Sequence, residues 1–268
     1  MGLTEDMQIL IPMTGNGSRF VNKGYSRLKP FIEVHGRPII EWVVKMFKGD
    51  EHLINFICRE SHLSEFDYLE SELIRIAPEG RIISIKDWEK KGPVMDTLKA
   101  VSLLNLNGPI LISYCDYYMH WNYNKFKSDL KDLDCDGSIP CYSGFHPHLL
   151  PKQNLYGSCK VDKEDYLIQI KEKHAWNEDK TKDFNSPGVF YFKDASMLKK
   201  YCKELIQSNE HINEEFYMSL PFNYLVRDGL KVWCPSNIDY FCQWGTPEDL
   251  EDYLFWINTI GKIKKASL

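Results

Sequence analysis

Residues 8–30, QILIPMTGNGSRFVNKGYSRLKP, decide the fold. Ile9, Leu10 and Ile11 form a short apolar run that reads as a buried strand. Met13, Thr14, Gly15, Asn16, Gly17 and Ser18 follow as a tight loop, with Arg19 at its end and the pair Lys29-Pro30 further on. A strand running into a glycine loop is a phosphate-binding device. Glycine permits φ > 0 and close approach, so successive backbone N–H groups can point at an anion. Arg19 and Lys29 add positive charge where a triphosphate would sit. Two rival motifs fail. Phe20 replaces the third glycine of a dinucleotide loop, and no GxxxxGK[ST] occurs.

The 268 residues suit one large domain or two small ones, and 43% apolar content is ample for a core. A net charge of −5 gives no basic footprint for nucleic acid. No apolar run reaches the roughly 18 residues of a membrane helix. The N-terminal MGLTEDMQ has no leader pattern, so the expected location is cytoplasmic. Eight cysteines are scattered without a CxxC. They read as reduced, mostly buried thiols rather than zinc ligands.

Strands are expected at 53–58, 81–85 and 109–115, with helices at 38–47, 61–76 and 95–104. This βαβ alternation predicts a mostly parallel sheet with helices on both faces. After residue 116 the pattern changes. Short strands at 137–142, 157–161, 167–170 and 188–192 suggest antiparallel additions around a substrate pocket. Helices return at 194–206 and 214–227, then a strand at 231–234. Thr246-Pro247-Glu248-Asp249 opens a last helix, with Thr as N-cap and Pro at the first position. We therefore expect one domain over 1–268, with a nucleotide-binding half (1–116) and an acceptor-binding half (117–268). In parallel sheets ligands bind beyond the carboxyl ends of strands. That puts the loop 14–19, the segment 91–97 and Asp116 on one edge.

Asp116 follows an apolar strand and offers hard oxygen for Mg²⁺; a capping role is the plainer reading of the residue alone. Lys91-Gly92-Pro93-Val94-Met95-Asp96 is a second glycine turn before a helix. Glu172 and Lys173 end a strand, and Asn185 to Gly188 open another. Asp134-Cys135-Asp136 matches a metal-binding DxD but reads as a solvated turn. His146-Pro147-His148 lacks partners for a metal site and reads as a loop.

Taken in order, GNGSRF with Lys29-Pro30, the 92–97 turn, Tyr114-Cys115-Asp116, Ile170 to Lys173, Asn185 to Gly188 and Trp244 to Leu250 resemble the sugar nucleotidyltransferase family, the nucleoside-diphosphate-sugar pyrophosphorylases. The resemblance covers nearly the whole chain and is nearest to a branch associated with bacterial capsule and lipopolysaccharide biosynthesis. It implies a Rossmann-like three-layer α/β/α fold with a mixed, mostly parallel sheet. It also implies Mg²⁺-dependent transfer of NMP from an NTP to a phosphorylated acceptor; separately from the resemblance, CTP or UTP is the nucleotide expected. By the same resemblance Arg19 and Lys29 are catalytic. Met13, Thr14, Gly15, Asn16, Gly17, Ser18, Gly92, Pro93 and Asp96 bind the nucleotide. Tyr114, Gly157, Glu172, Lys173, Asn185 and Gly188 bind the acceptor, and Asp116 holds the metal.

One position departs from the pattern. Many relatives carry a second metal-binding Asp two residues before the C-terminal Gly-Thr, where this chain has Gln243. An amide oxygen ligates without charge; Asp239, four residues earlier, is the other candidate. Two other readings remain at this level: a related glycosyltransferase consuming a nucleotide sugar, and a non-catalytic nucleotide-sugar binder. Self-association into a homo-oligomer is left open.

Overall fold

The computed structural model describes residues 6–87, 92–104, 106–151 and 153–266. Lys91 of the second glycine turn and residues 1–5 of the N-terminal segment lie outside the described residues. In chain order, β1 (Gln8–Pro12) leads to α1 (Ser18–Asn22), the short β2 (Glu33–Val34) and β3 (Arg37–Pro38), and α2 (Ile39–Lys45). Then come β4 (Ile54–Arg59), α3 (Glu60–Glu65), α4 (Tyr68–Ile76), β5 (Arg81–Ile85), α5 (Pro93–Leu103) and β6 (Ile110–Ser113). Next are β7 (Tyr117–Trp121), α6 (Tyr123–Leu133), β8 (Gly137–Ser138), β9 (Ser158–Val161), β10 (Leu167–Lys171) and β11 (Phe184–Asn185). The chain continues through β12 (Val189–Phe192), α7 (Ala195–Ser208), α8 (Pro221–Arg227), β13 (Val232–Trp233), β14 (Ile238–Gln243) and α9 (Pro247–Ala266).

Seven strands form the main sheet in the order β13-β8-β12-β6-β1-β4-β5. β6, β1, β4 and β5 run parallel, and β12 is antiparallel to both its neighbours. The sheet is thus mixed and mostly parallel, as the βαβ alternation predicts. Alternation along β1 makes three layers. Ile9 and Ile11 enter the core under α2 and α4, whereas Leu10 enters the core under α5, α7 and α8. β6 repeats this, with Leu111 on the first face and Ile110 and Ile112 on the second. Burying each such side chain contributes about 1.5–3 kcal/mol.

The strand order reverses at β1. The chain winds outward through β4 and β5, then returns to lay β6 on the other side of β1. A crevice opens at such a switch point beyond the carboxyl ends of the strands. The loop after β1 and residues 114–116 after β6 lie there.

Two smaller sheets build the other wall. β10, β9 and β11 form an antiparallel trio, and β14 pairs antiparallel with β7. The aromatic segment 117–121 and the strand 238–243 were not expected as a pair.

Two expected helices differ. The helix expected at 61–76 breaks at Phe66, which adopts φ −114° and ψ 90° and packs its ring against His62 and Tyr68. The helix expected from 214 starts only at Pro221. Asn213 and Glu214 have φ of 51° and 63°, Phe216, Met218 and Ser219 are buried, and residues 218–220 form a turn leading into the helix. Proline lacks the N–H a helix interior needs, so it begins the helix instead.

The DxD segment is a turn. Asp134 caps α6 in the left-handed region and pairs with Lys193, and Asp136 accepts from the Lys231 N–H. His148 packs beneath Tyr142, whose hydroxyl meets its Nε2 at 2.9 Å, and burial pushes its pKa down to about 3.

Candidate active site

Two adjoining cavities, of about 440 and 250 Å³, occupy the crevice. They share Gly15, Lys29, Tyr114, Asp116, Glu215 and Tyr217 as a common wall. The smaller cavity is lined by Met13, Thr14, Gly92, Pro93 and Asp96. The larger takes in Gly17, Ser18 and Arg19 on one side. Gly157, Glu172, Lys173, Gly188 and Gln243 stand on the other. The nucleotide half and the acceptor half of the expected site thus face each other across Lys29 and Asp116.

Local structure explains the placement. Gly17 has φ 60° and turns the chain into α1; the N–H groups of Phe20 and Val21 bond back to its carbonyl. Glycine adopts that left-handed angle at the least steric cost. Arg19 therefore leaves the first turn of α1 exposed and faces the cleft. Pro30 sits in a short 3-10 turn, Lys29–Phe31, whose buried Pro30 and Phe31 fix the backbone that carries Lys29.

At the centre, Lys29 Nζ lies 2.7 Å from Asp116 Oδ2, with each side chain about one-fifth exposed (20% and 23%). Burial works against the ammonium charge, but Asp116 outweighs it, and the Lys29 pKa is raised. Lys29 is therefore a fixed cation at neutral pH and not a proton donor.

Pairing of β14 with β7 sets Gln243 opposite Tyr117, the residue after Asp116. The two side chains converge over Gly245. A methyl placed there would stand 2.9 Å from Gln243 Nε2 and 3.2 Å from Asp116 Oδ2. One carboxylate and one amide oxygen are a hard-oxygen donor set, the kind Mg²⁺ takes alongside waters and phosphates. Asp239 is elsewhere. Its side chain is 73% exposed, pairs with His120 Nδ1 at 3.2 Å, and lines neither cavity. Four residues of strand carry it about 13 Å from Gln243.

Two further expectations are corrected. Asn185 is fully buried, and its amide donates inward to the Asp183 carbonyl at 3.1 Å, so it orders the loop rather than facing the cleft. Asn16 is exposed but lines neither cavity.

Glu172 stands against Gly157 and accepts from the Ser219 hydroxyl. Burial raises its pKa to about 7, with Ser219 opposing. Lys173 follows with φ 53°, its N–H bonded to the Tyr156 carbonyl. In the smaller cavity the Thr14 hydroxyl donates to the buried Asp96 carboxylate.

Sequence reasoning missed Tyr156, Glu215, Tyr217 and Asp249. Asp249 receives the Tyr156 hydroxyl at 2.9 Å and the Thr246 hydroxyl at 2.8 Å, and its own N–H donates to Thr246 Oγ1 as the helix N-cap. Burial raises its pKa, and nearby Asp116 adds to that. The Thr-x-x-Asp spacing signalled a helix start, but not that the start faces the cleft.

No protein-family model matches the chain, and no curated protein matches it. Solved structures do. One is a nucleoside-diphosphate-sugar pyrophosphorylase from Vibrio cholerae, at 20% identity and TM-score 0.73, covering 92% of this chain and 99% of that one. Another is a UDP-glucose pyrophosphorylase complexed with UDP-glucose, at 14% identity and TM-score 0.72, covering 94% and 99%. A third is HddC from Yersinia pseudotuberculosis complexed with GMP-PN, at 17% identity and TM-score 0.59, covering 92% and 98%.

Proposed function

We propose that this chain, which shares its fold with the nucleoside-diphosphate-sugar pyrophosphorylases, transfers NMP from an NTP to a sugar phosphate and releases pyrophosphate. The observation that carries this reading is the Lys29–Asp116 pair, held where a nucleotide-sized cavity opens into a second, polar one. A phosphate oxygen of the acceptor attacks the α-phosphorus. The bond to the bridging oxygen breaks, and the pyrophosphate leaves with that electron pair. The attacking oxygen is already ionised, so no general base is required. Catalysis reduces to alignment and charge neutralisation.

The residues divide that work. Backbone N–H groups of Gly15, Gly17 and Ser18 would hold the phosphates, and Arg19 would neutralise the departing pyrophosphate. Lys29 would bridge the α-phosphate and the acceptor phosphate. Thr14, Gly92, Pro93 and Asp96 would line the base and ribose. Glu172 and Lys173 would orient the sugar. Asp116 with the Gln243 amide oxygen would hold Mg²⁺, which supplies charge neutralisation at the phosphates. An uncharged Gln243 would bind it more weakly than a carboxylate would.

We take CTP or UTP as the first nucleotides to test, and a surface-polysaccharide precursor as the product class. The similar structures hold UDP-glucose and GMP-PN, so the panel includes purines. Purified protein is mixed with each NTP, a set of sugar 1-phosphates and Mg²⁺, and pyrophosphate is measured. One pair giving pyrophosphate and a nucleotide sugar is the expected outcome. Release of a nucleoside diphosphate from a nucleotide sugar, with no pyrophosphate from any pair, would place the chain among glycosyltransferases instead. Asp116→Asn should need much more Mg²⁺ for the same rate. Wild-type rates at limiting Mg²⁺ would remove Asp116 as a ligand.

A further inference from the structure

All eight cysteines are buried, yet they are not all alike. Cys141, Cys159 and Cys234 bring their Sγ atoms within 4.8 Å of one another. Cys141 and Cys234 are fully buried, and Cys159 is 3% exposed. The three come from separate segments. Cys141 follows β8, with its N–H on the Pro235 carbonyl. Cys159 lies in β9 between Ile170 and Phe184, and Cys234 follows β13, its N–H on the Asp165 carbonyl. Backbone bonds thus fix every one of the three before the sulfurs meet.

We propose that these three thiols form a second metal site, separate from the catalytic cleft, that takes one soft d10 cation of the cuprous or zinc kind through three thiolates. The geometry allows it. An ion about 2.3 Å from each of three sulfurs in a plane separates them by about 4.0 Å, inside the spread observed. Thiolate donors select copper(I) and zinc over hard ions, so this site would not compete with Asp116 for Mg²⁺. On loading, three S–H bonds break, three sulfur–metal bonds form and three protons leave; no electron is transferred.

The consequence for the cleft is mechanical. Gly157, two residues before Cys159, lines the acceptor wall. A bound ion would clip β9 to the edge of the main sheet at β8 and β13, bracing that wall. The site does not depend on the transferase reading.

The test uses whole protein purified from zinc-supplemented and from copper-supplemented cultures. Metal is counted by mass spectrometry, and its sulfur ligands by X-ray absorption. The expected result is about one zinc or one copper per chain with three sulfur neighbours near 2.3 Å. Cys159→Ser should lose the metal, and Cys202→Ser, a buried cysteine outside the cluster, should keep it. The wild-type count stands even if Cys159→Ser fails to fold. Trace metal only from both cultures, with eight free thiols titrated in denaturant, would overturn the proposal. Six free thiols and no metal would also overturn it, showing a disulfide in place of a site.

Discussion

Lys29 and Asp116 face each other 2.7 Å apart at the meeting of the two cavities. Lys29→Ala should lower kcat/KM by about 10²–10³, the scale of one lost charge-stabilising group. Its cost in stability should be about 1 kcal/mol, because the pair is only partly buried. Unchanged kcat/KM for pyrophosphate release would take Lys29 out of the site. Glu172 gives a pH signature. Its pKa rises from 4.5 to about 7 on folding, so the folded chain holds that proton more tightly than the unfolded one. The resulting stability is complete below pH 4.5 and is lost as pH climbs through 7. Against wild type, Glu172→Gln should therefore gain relative stability across that window in urea titrations. Parallel curves would show that Glu172 titrates normally. Lys29 and Asp116 were legible in the sequence because each is a charge at the end of a recognisable device. Asn185 and Asp239 were misplaced because side-chain direction is set by packing, which spacing alone does not encode.

At the scale of elements, the β7–β14 ribbon sets Gln243 beside Asp116, where we propose that Mg²⁺ binds. Phe241 in β14 stacks on Tyr142 with ring centroids 4.3 Å apart and is 4% exposed. Phe241→Ala should cost about 3–5 kcal/mol, the range for an emptied aromatic core site. It should also raise the Mg²⁺ needed for half-maximal rate, because Gln243 lies two residues on. A loss of stability without that rise would separate the ribbon from the metal position. The parallel core was readable because β1, β4 and β6 carry runs of buried aliphatics bounded by turn residues. The ribbon was not. Its strands lie more than a hundred residues apart, and their aromatic residues fit several structures. The helix expected from 214 shows the same limit, since apolar spacing outvoted the helix-starting signal of Pro221.

Across the whole molecule, the cleft draws on both ends of the chain and on both walls of the sheet. Ligand binding should therefore register as global stability. A nucleotide at about 100 times its Kd should add about 2.7 kcal/mol. We expect one triphosphate of CTP, UTP, dTTP, ATP and GTP to raise Tm above the others, and Mg²⁺ to enlarge the shift. Equal shifts for all five would mean that the smaller cavity does not read the base. The mostly parallel sheet and the edge that carries the cleft followed from the alternation of elements. The short antiparallel strands β9, β10 and β12 were expected as well, but not which neighbours they pair with, because strands of four or five residues carry little periodicity.

The ribbon also sets a schedule for synthesis. Gln243 leaves the ribosome long after Asp116, by roughly 6–25 s at about 5–20 residues per second. Through that interval β7, with its run Tyr117-Tyr118-Met119-His120-Trp121, lacks the strand that will cover it. An aromatic strand with an open edge is a template for pairing with other chains. Newborn copies on one polysome would be most exposed to each other in those seconds, and the emergence of β14 both ends that hazard and completes the cleft.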